Sequence, residues 1–313
     1  MELSTQLQTQ LLTASKLYNI PHQDLTLLQA YSNYIFATKT KILQITPAAY
    51  RSASALAIEV DWINYLNQNG LEVVKLVKST QGRWLEPLDG GTAICYEKII
   101  GQKVTKADWS AKYFTRLGQF TGQLHCLGKA FERERSYSIP NWDEIPKSRF
   151  AAYLPIDDRA LPVLLESLMT KFRKQERTTQ NYGLIHYDIH RGNYFLQEAT
   201  NKLILFDFEM MCRSWYINEI AVILYYILNS VTFEEREQLT TLFLSSFFDG
   251  YRKEMEIDEK EKLRIPSLLL YRDLLVYGYT FKIWPKEAEM TDSDHHFRQK
   301  LSLSIEYRQA QWK

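Results

Sequence analysis

Three side chains on one short stretch could together hold a divalent cation and activate a hydroxyl. In His186-Tyr187-Asp188-Ile189-His190-Arg191-Gly192-Asn193, Asp188 is followed five residues later by Asn193. An apolar run then leads to Asp207-Phe208-Glu209, fourteen residues beyond Asn193. Magnesium-dependent phosphoryl transfer needs these residue types. One carboxylate orients and deprotonates the attacking hydroxyl, while an amide oxygen and a second carboxylate hold Mg²⁺ against nucleotide phosphates. A polar hairpin loop between two buried strands would also contain such residues, and an isolated His-x-Asp would leave that reading ahead. Here the spacing and the apolar flanks, Gly183-Leu184-Ile185 before and Leu203-Ile204-Leu205-Phe206 after, favour catalysis.

Several elements must position this stretch. Residues 2–17 place Leu3, Leu7, Leu11, Leu12, Ala14 and Leu17 at roughly helical spacing, which predicts an amphipathic opening helix. Strands are expected at Leu25–Gln29, Tyr34–Thr38 and Lys41–Thr46, with the polar turn Tyr31-Ser32-Asn33 between the first two. Ser52–Asn67 reads as a helix with Ala57, Val60, Ile63 and Leu66 on one side, and short strands follow at Val73–Ser79, Trp84–Leu85 and Thr92–Lys98. After Gly101 the character changes. A helix is expected over 107–130, a looser segment around Pro140, Trp142 and Pro146, a helix near 160–175, the catalytic hairpin, and helix for nearly everything after Trp215. The expected class is α+β and two-lobed: a small mixed sheet with one helix over residues 1–95, a connection at 96–101, and a larger, mainly helical lobe over 102–313.

Composition narrows the field. The 313 residues are 45% hydrophobic and 24% charged, as in an ordinary globular chain. A net charge of +1 gives no field favouring nucleic acid or an anionic membrane. Cys95, Cys126 and Cys212 are odd in number and form no C-x-x-C pair, so they read as buried small hydrophobes in a reducing compartment. The first residues lack a basic region followed by an apolar stretch, and the longest apolar run, Ile220–Leu228, is far short of the ~20 residues that span a bilayer. A soluble cytoplasmic protein is expected, with no nucleic-acid or membrane partner.

The motif H-Y-D-I-H-R-G-N with D-F-E resembles the aminoglycoside phosphotransferase and choline kinase superfamily, a branch of the protein-kinase-like fold. The signature there is H-G-D-x-H-x-x-N followed by D-F-D or D-x-E. The stretches T-P-A-A-Y-R-S at 46–52, E-V-D-W-I-N-Y-L-N-Q-N-G at 59–70 and Y-R-D-L-L at 271–275 are similar to the group containing type II homoserine kinases and a bacterial stress-response Ser/Thr kinase. The resemblance covers nearly the whole chain. It implies transfer of the γ-phosphoryl group of ATP, with Mg²⁺, to a hydroxyl of a small molecule such as an aminoglycoside, an amino alcohol or homoserine.

Carried over residue by residue, Asp188 matches the catalytic base, and Asn193 and Asp207 match the metal ligands. His186 matches a loop-orienting residue. The resemblance puts His190 beside the transferring phosphoryl group, with Arg191 either joining it or facing solvent. Glu209 would assist a second metal or cap the following loop. In the nucleotide-binding part, Ser32 and Asn33 occupy the turn that would cover the phosphates, without a glycine-rich G-x-G. Glu59 matches the glutamate that pairs with a strand lysine; without the resemblance it reads equally as a solvated helix acid. Residues 96–99 would connect the lobes, with Glu97 and Ile99 offering backbone groups to adenine and Ile94 and Leu205 flanking its ring. Arg213, Trp215 and Arg272 fall in parts that line the acceptor groove in relatives, although aromatics at such spacing are more often core.

The chain departs from the pattern at three positions. Gln44 in Ile42-Leu43-Gln44-Ile45 stands where the family has Lys or Arg, so it can donate hydrogen bonds but brings no charge. Lys39, Arg51 or Lys78 would have to reach in from elsewhere. Tyr187 replaces a small Gly and would narrow the acceptor pocket. Glu219 replaces the Asp that anchors the catalytic-loop backbone. The stress-kinase resemblance makes a Ser/Thr protein kinase one alternative, Gln44 makes a nucleotide-binding pseudokinase with a regulatory role a second, and a fold relative that binds a metabolite without turnover is a third; the acceptor and oligomeric state are left open.

Overall fold

Ser4 opens the first helix: its hydroxyl accepts from the Leu7 N–H at 3.3 Å, satisfying one of the donors a helix start leaves unpaired. A computed structural model describes residues 3–144, 154, 160–197 and 202–312. Helix α1 runs Thr5–Leu17 and buries Leu7, Leu11 and Ala14. These pack on Leu43 and Ile45 of β3 (Lys41–Pro47) and on Ala93 and Cys95 of β6 (Gly91–Glu97). The sheet continues through β1 (Thr26–Ala30) and β2 (Tyr34–Ala37) on one side and β4 (Leu76–Val77) on the other, in the order β1-β2-β3-β6-β4. Strand β5 (Leu85–Leu88) also pairs with β6, through a turn in which Gly90 has φ +71°.

Every ladder in this sheet is antiparallel, not mixed as expected. Short turns join β1 to β2, β2 to β3 and β5 to β6, and turns that tight permit only antiparallel neighbours. Helix α2 (Ala53–Gln68), capped by Ser52, follows β3. The strand expected at 73–79 shortens to β4, because Val73 and Val74 pair elsewhere: Val73 bridges Leu205, and the Val74 N–H donates to Leu205 O at 2.8 Å.

Two strands not expected as such follow. Strand β7 (Gln102–Lys103) joins β9 (Tyr194–Gln197) and β10 (Lys202–Leu205) in a small sheet of order β10-β9-β7. These bonds draw residues 191–209 into the first of two compact units, Met1–Lys106 with Arg191–Glu209.

The second unit comprises Ala107–His190 and Met210–Lys313. Helix α3 is Ala111–Glu134, starting at the Ser110 cap rather than at 107. Helix α4 is Ala160–Arg173, α5 Tyr216–Leu228, α6 Arg236–Tyr251, α7 Ile265–Ile283 and α8 Asp292–Trp312. Strand β8 (Tyr182–Ile185) pairs antiparallel with the unexpected β11 (Cys212–Trp215). Helices α3 and α6 touch backbone to backbone: a Cβ on Gly118 would lie 1.9 Å from Phe247 O, and one on Gly250 1.8 Å from Thr115 O. Pro146, part of the looser segment, lies outside the described residues. Cys95 and Cys212 are buried, but Cys126 is exposed, against expectation. Among the described residues no helix is long and apolar enough to cross a membrane.

Candidate active site

In the second unit, the loop after β8 is pinned by one carboxylate. Glu219, in the first turn of α5, accepts from the backbone N–H of His186 at 2.6 Å and of Tyr187 at 2.9 Å. It does the anchoring expected of the family's Asp. Tyr187 has φ +70°, in the left-handed region where the family signature has Gly. A side chain there costs about 1–2 kcal/mol. What holds it is burial: Tyr187 is 0% exposed, with the Arg272 guanidinium 5.3 Å from its ring centroid. His186, also buried, orients the loop as expected, its Nδ1 accepting from the Asp188 N–H at 3.3 Å.

Asp188 is gripped from two later helices. Its Oδ1 accepts from Arg272 Nη2 at 2.5 Å and from the Tyr226 hydroxyl at 3.0 Å, and Arg272 Nη2 also donates to the Tyr226 hydroxyl at 2.9 Å. Its Oδ2 lies 3.5 Å from His190 Nε2, and the His190 ring sits 4.5 Å from that of Tyr226. Burial pushes the carboxyl up, but the His190 hydrogen bond and the charges of Arg272, His190 and His186 outweigh it, holding Asp188 well below the usual carboxylate range. Burial likewise works against the charge on Arg272, which Tyr226, Asp188 and Tyr187 restore. Asp188 is thus ionised at neutral pH, able to accept a hydrogen bond from a hydroxyl and too weak a base to strip it beforehand.

The first unit gathers the other polar groups. Asn193 is buried, its carbonyl accepting from Phe206 N–H at 2.9 Å. Asp207 is exposed, with φ +64°, and Tyr96 lies within electrostatic reach of it. Glu209 accepts from Asn33 Nδ2 at 2.7 Å and from the Tyr50 hydroxyl. Asn33 Oδ1 in turn accepts from Thr46 Oγ1 at 2.8 Å, and Thr46 Oγ1 accepts from Gln44 Nε2 at 3.0 Å. Glu59 is not a solvated acid: it is buried and meets Arg51 Nη1 at 2.6 Å. Among the described residues no three His, Cys, Asp or Glu side chains form a metal cage. Asn193 and Asp207 instead offer two hard oxygen donors, a set that suits an ion sharing its ligands with phosphates.

A family of phosphotransferase enzymes matches residues 24–257. This chain belongs to the phosphotransferase enzyme family. An amicoumacin kinase of Bacillus subtilis (strain 168) is 30% identical over 277 residues, which are 85% of this chain and 82% of that one. A homoserine kinase of Pseudomonas aeruginosa is 25% identical over 169 residues, 53% of this chain and 51% of that one. Among solved structures, amicoumacin kinase hAmiN in complex with AMP-PNP, Ca²⁺ and Ami superposes with a TM-score of 0.87 at 30% identity, covering 96% of this chain and 93% of that one. The fold is the protein-kinase-like α+β fold, and the chain is an ATP-dependent small-molecule phosphotransferase, as the motif implied.

Within this phosphotransferase, the remaining expected residues fall as follows. Arg191 and Glu97 are exposed, Ser32 and Ile99 half-buried, and the Glu97 N–H already donates to Lys75 O at 2.8 Å. Ile94 and Leu205 are fully buried. Arg213 lies on the surface, 2.7 Å from Glu132. Trp215 is core, packed among Trp142, Phe172 and Tyr182. As they stand, Trp215 and Tyr187 present no face to an acceptor. Arg272, expected to meet substrate, holds Asp188. Tyr226 escaped notice, since nothing in its local sequence distinguishes it from an ordinary helix residue, while Thr46 and Tyr50 were seen only as part of the T-P-A-A-Y-R-S stretch, with no role given to either.

Proposed function

We propose that this phosphotransferase moves the γ-phosphoryl group of magnesium-bound ATP to a hydroxyl of an aminoglycoside, amino alcohol or homoserine-like compound, with Asp188 as the base. The observation that carries this is the Asp188 carboxylate, kept ionised by Arg272, His190 and His186 within the family's motif. Asp188 would accept the acceptor hydroxyl's hydrogen bond, hold its oxygen in line, and take the proton as the new bond forms. Asn193 and Asp207 would hold Mg²⁺, which neutralises charge on the phosphate oxygens. His190 would face the transferring group, and Asn33 with Ser32 would cover the phosphates. In this reading residues 1–95 are the nucleotide lobe, 96–101 the hinge that reads adenine through Glu97 and Ile99, and 102–313 the catalytic lobe.

The relatives support a nucleotide and a divalent ion, since hAmiN binds AMP-PNP and Ca²⁺. The composition suits a cytoplasmic enzyme. Gln44 was the ground for a pseudokinase, and the Arg51–Glu59 pair weakens that ground. The test is ATP consumption across amino alcohols, homoserine, aminoglycosides, amicoumacin and a generic protein substrate, with a thermal-shift measurement of ATP and Mg²⁺ binding alongside. Turnover with a small hydroxyl compound supports the proposal. Binding without turnover of any of them, or turnover of protein alone, defeats it.

A further inference from the structure

We propose that Arg51 supplies the cation that β3 lacks, joining Glu59 and gripping the α- and β-phosphates of the nucleotide. The inference rests on the phosphotransferase reading and deepens it. Gln44 stands at the position of the strand cation, but its amide is spent on Thr46 Oγ1, inside the network that holds Asn33. It is a neutral link in the turn. Lys41 donates to Tyr18 O at 2.9 Å, and Lys78 lies over the Trp84 ring at 4.8 Å, so both are committed elsewhere.

Arg51 is the cation at Glu59. The turn that follows β3 brings it there, the Tyr50 and Arg51 N–H groups both donating to Pro47 O, at 2.9 and 3.2 Å. Its Nη1 lies 2.6 Å from Glu59 Oε2, and the two side chains are 9% and 4% exposed. Burial opposes the charge, yet Glu59 first, then Glu209 and Tyr96, keep the guanidinium firmly protonated.

A buried Arg–Glu pair adds little net stability, so its place in the fold calls for another reason. Among the described residues, the Arg51 side chain donates one hydrogen bond, through Nη1. A guanidinium carries five N–H donors in a fixed fork that matches phosphate oxygens, so Nε and Nη2 remain for an anion. Arg51 also shares its stretch with Thr46, which bonds Asn33, and Tyr50, which bonds Glu209. The seven residues 46–52 thus arrange the polar groups expected around phosphate.

Calorimetric titration with ADP and with adenosine tests this. Arg51→Met is expected to weaken ADP about tenfold or more, the scale of a charge-assisted hydrogen bond, and to leave adenosine affinity within about twofold. Because that variant takes from buried Glu59 the charge of Arg51, Arg51→Met with Glu59→Gln removes both charges and is expected to show the same ADP-selective loss. Adding Gln44→Lys to Arg51→Met is expected to restore much of the ADP affinity. Wild-type ADP affinity in both Arg51 variants overturns the inference, and so does an equal loss of ADP and adenosine, which would make Arg51 only a scaffold. If the unaltered chain binds no ADP, the phosphotransferase reading itself falls.

Discussion

Arg272 donates to Asp188 at 2.5 Å across 84 residues of chain, so the motif's carboxylate is set by a helix the motif does not contain. That contact fixes the oxygen's direction and, behind the His190 hydrogen bond, adds to its ionisation.

The pH dependence follows from it. Arg272 and its neighbours favour the ionised form, so the folded pKa of Asp188 lies below the unfolded value near about 3.9. The stability it contributes is present above that value and is lost only as pH falls through the lower, folded one. The acid limb of kcat/KM assigned to Asp188 should therefore lie below the ordinary carboxylate range. Arg272→Met should move that limb upward, and a pH–rate profile with no movement contradicts the pairing.

Asp188→Ala should lower kcat by about 10²–10⁴-fold, the contribution of a positioned base, with little change in ATP affinity. Steady-state kinetics beside nucleotide titration would separate the two. Near-normal turnover removes Asp188 from the role.

Tyr187→Gly restores the family residue and should still destabilise. Relieving the positive φ returns about 1–2 kcal/mol, whereas emptying the volume of a fully buried aromatic costs about 3–5 kcal/mol. Denaturant unfolding should show a net loss of about 1–4 kcal/mol from these two terms; a gain would mean that the strain outweighs the packing.

Glu219→Ala strips the acceptor from the His186 and Tyr187 N–H groups at a buried site. Each unpaired buried donor costs about 1–3 kcal/mol. The variant should unfold at lower denaturant and turn over more slowly. Glu219→Asp, shorter by one methylene, should fall between it and wild type in both measurements.

The local part of this architecture was legible in the sequence. Leucine spacing announced α1 and the polar turn at 31–33 announced the β1–β2 hairpin, while the motif singled out Asp188, Asn193 and Asp207 as candidates. What escaped is what depends on distant packing. Strand β5 extends to Leu88 through Pro87, which a strand that pairs with β6 alone can tolerate at the sheet's periphery. No periodicity reveals that Val73 and Val74 pair with Leu205, or that β11 pairs with β8. Arg272 reads as an acceptor-groove residue and Tyr226 as an ordinary helix residue until α5 and α7 bring them to Asp188.

Where Gly118 meets Phe247 and Gly250 meets Thr115, no side chain separates the two helices, so nothing at that crossing can flex to absorb a distortion. The pair is expected to move as a single beam, with breathing of the second unit beginning away from it. Amide protons near those four residues should then be among the slowest in the molecule to trade with solvent deuterium.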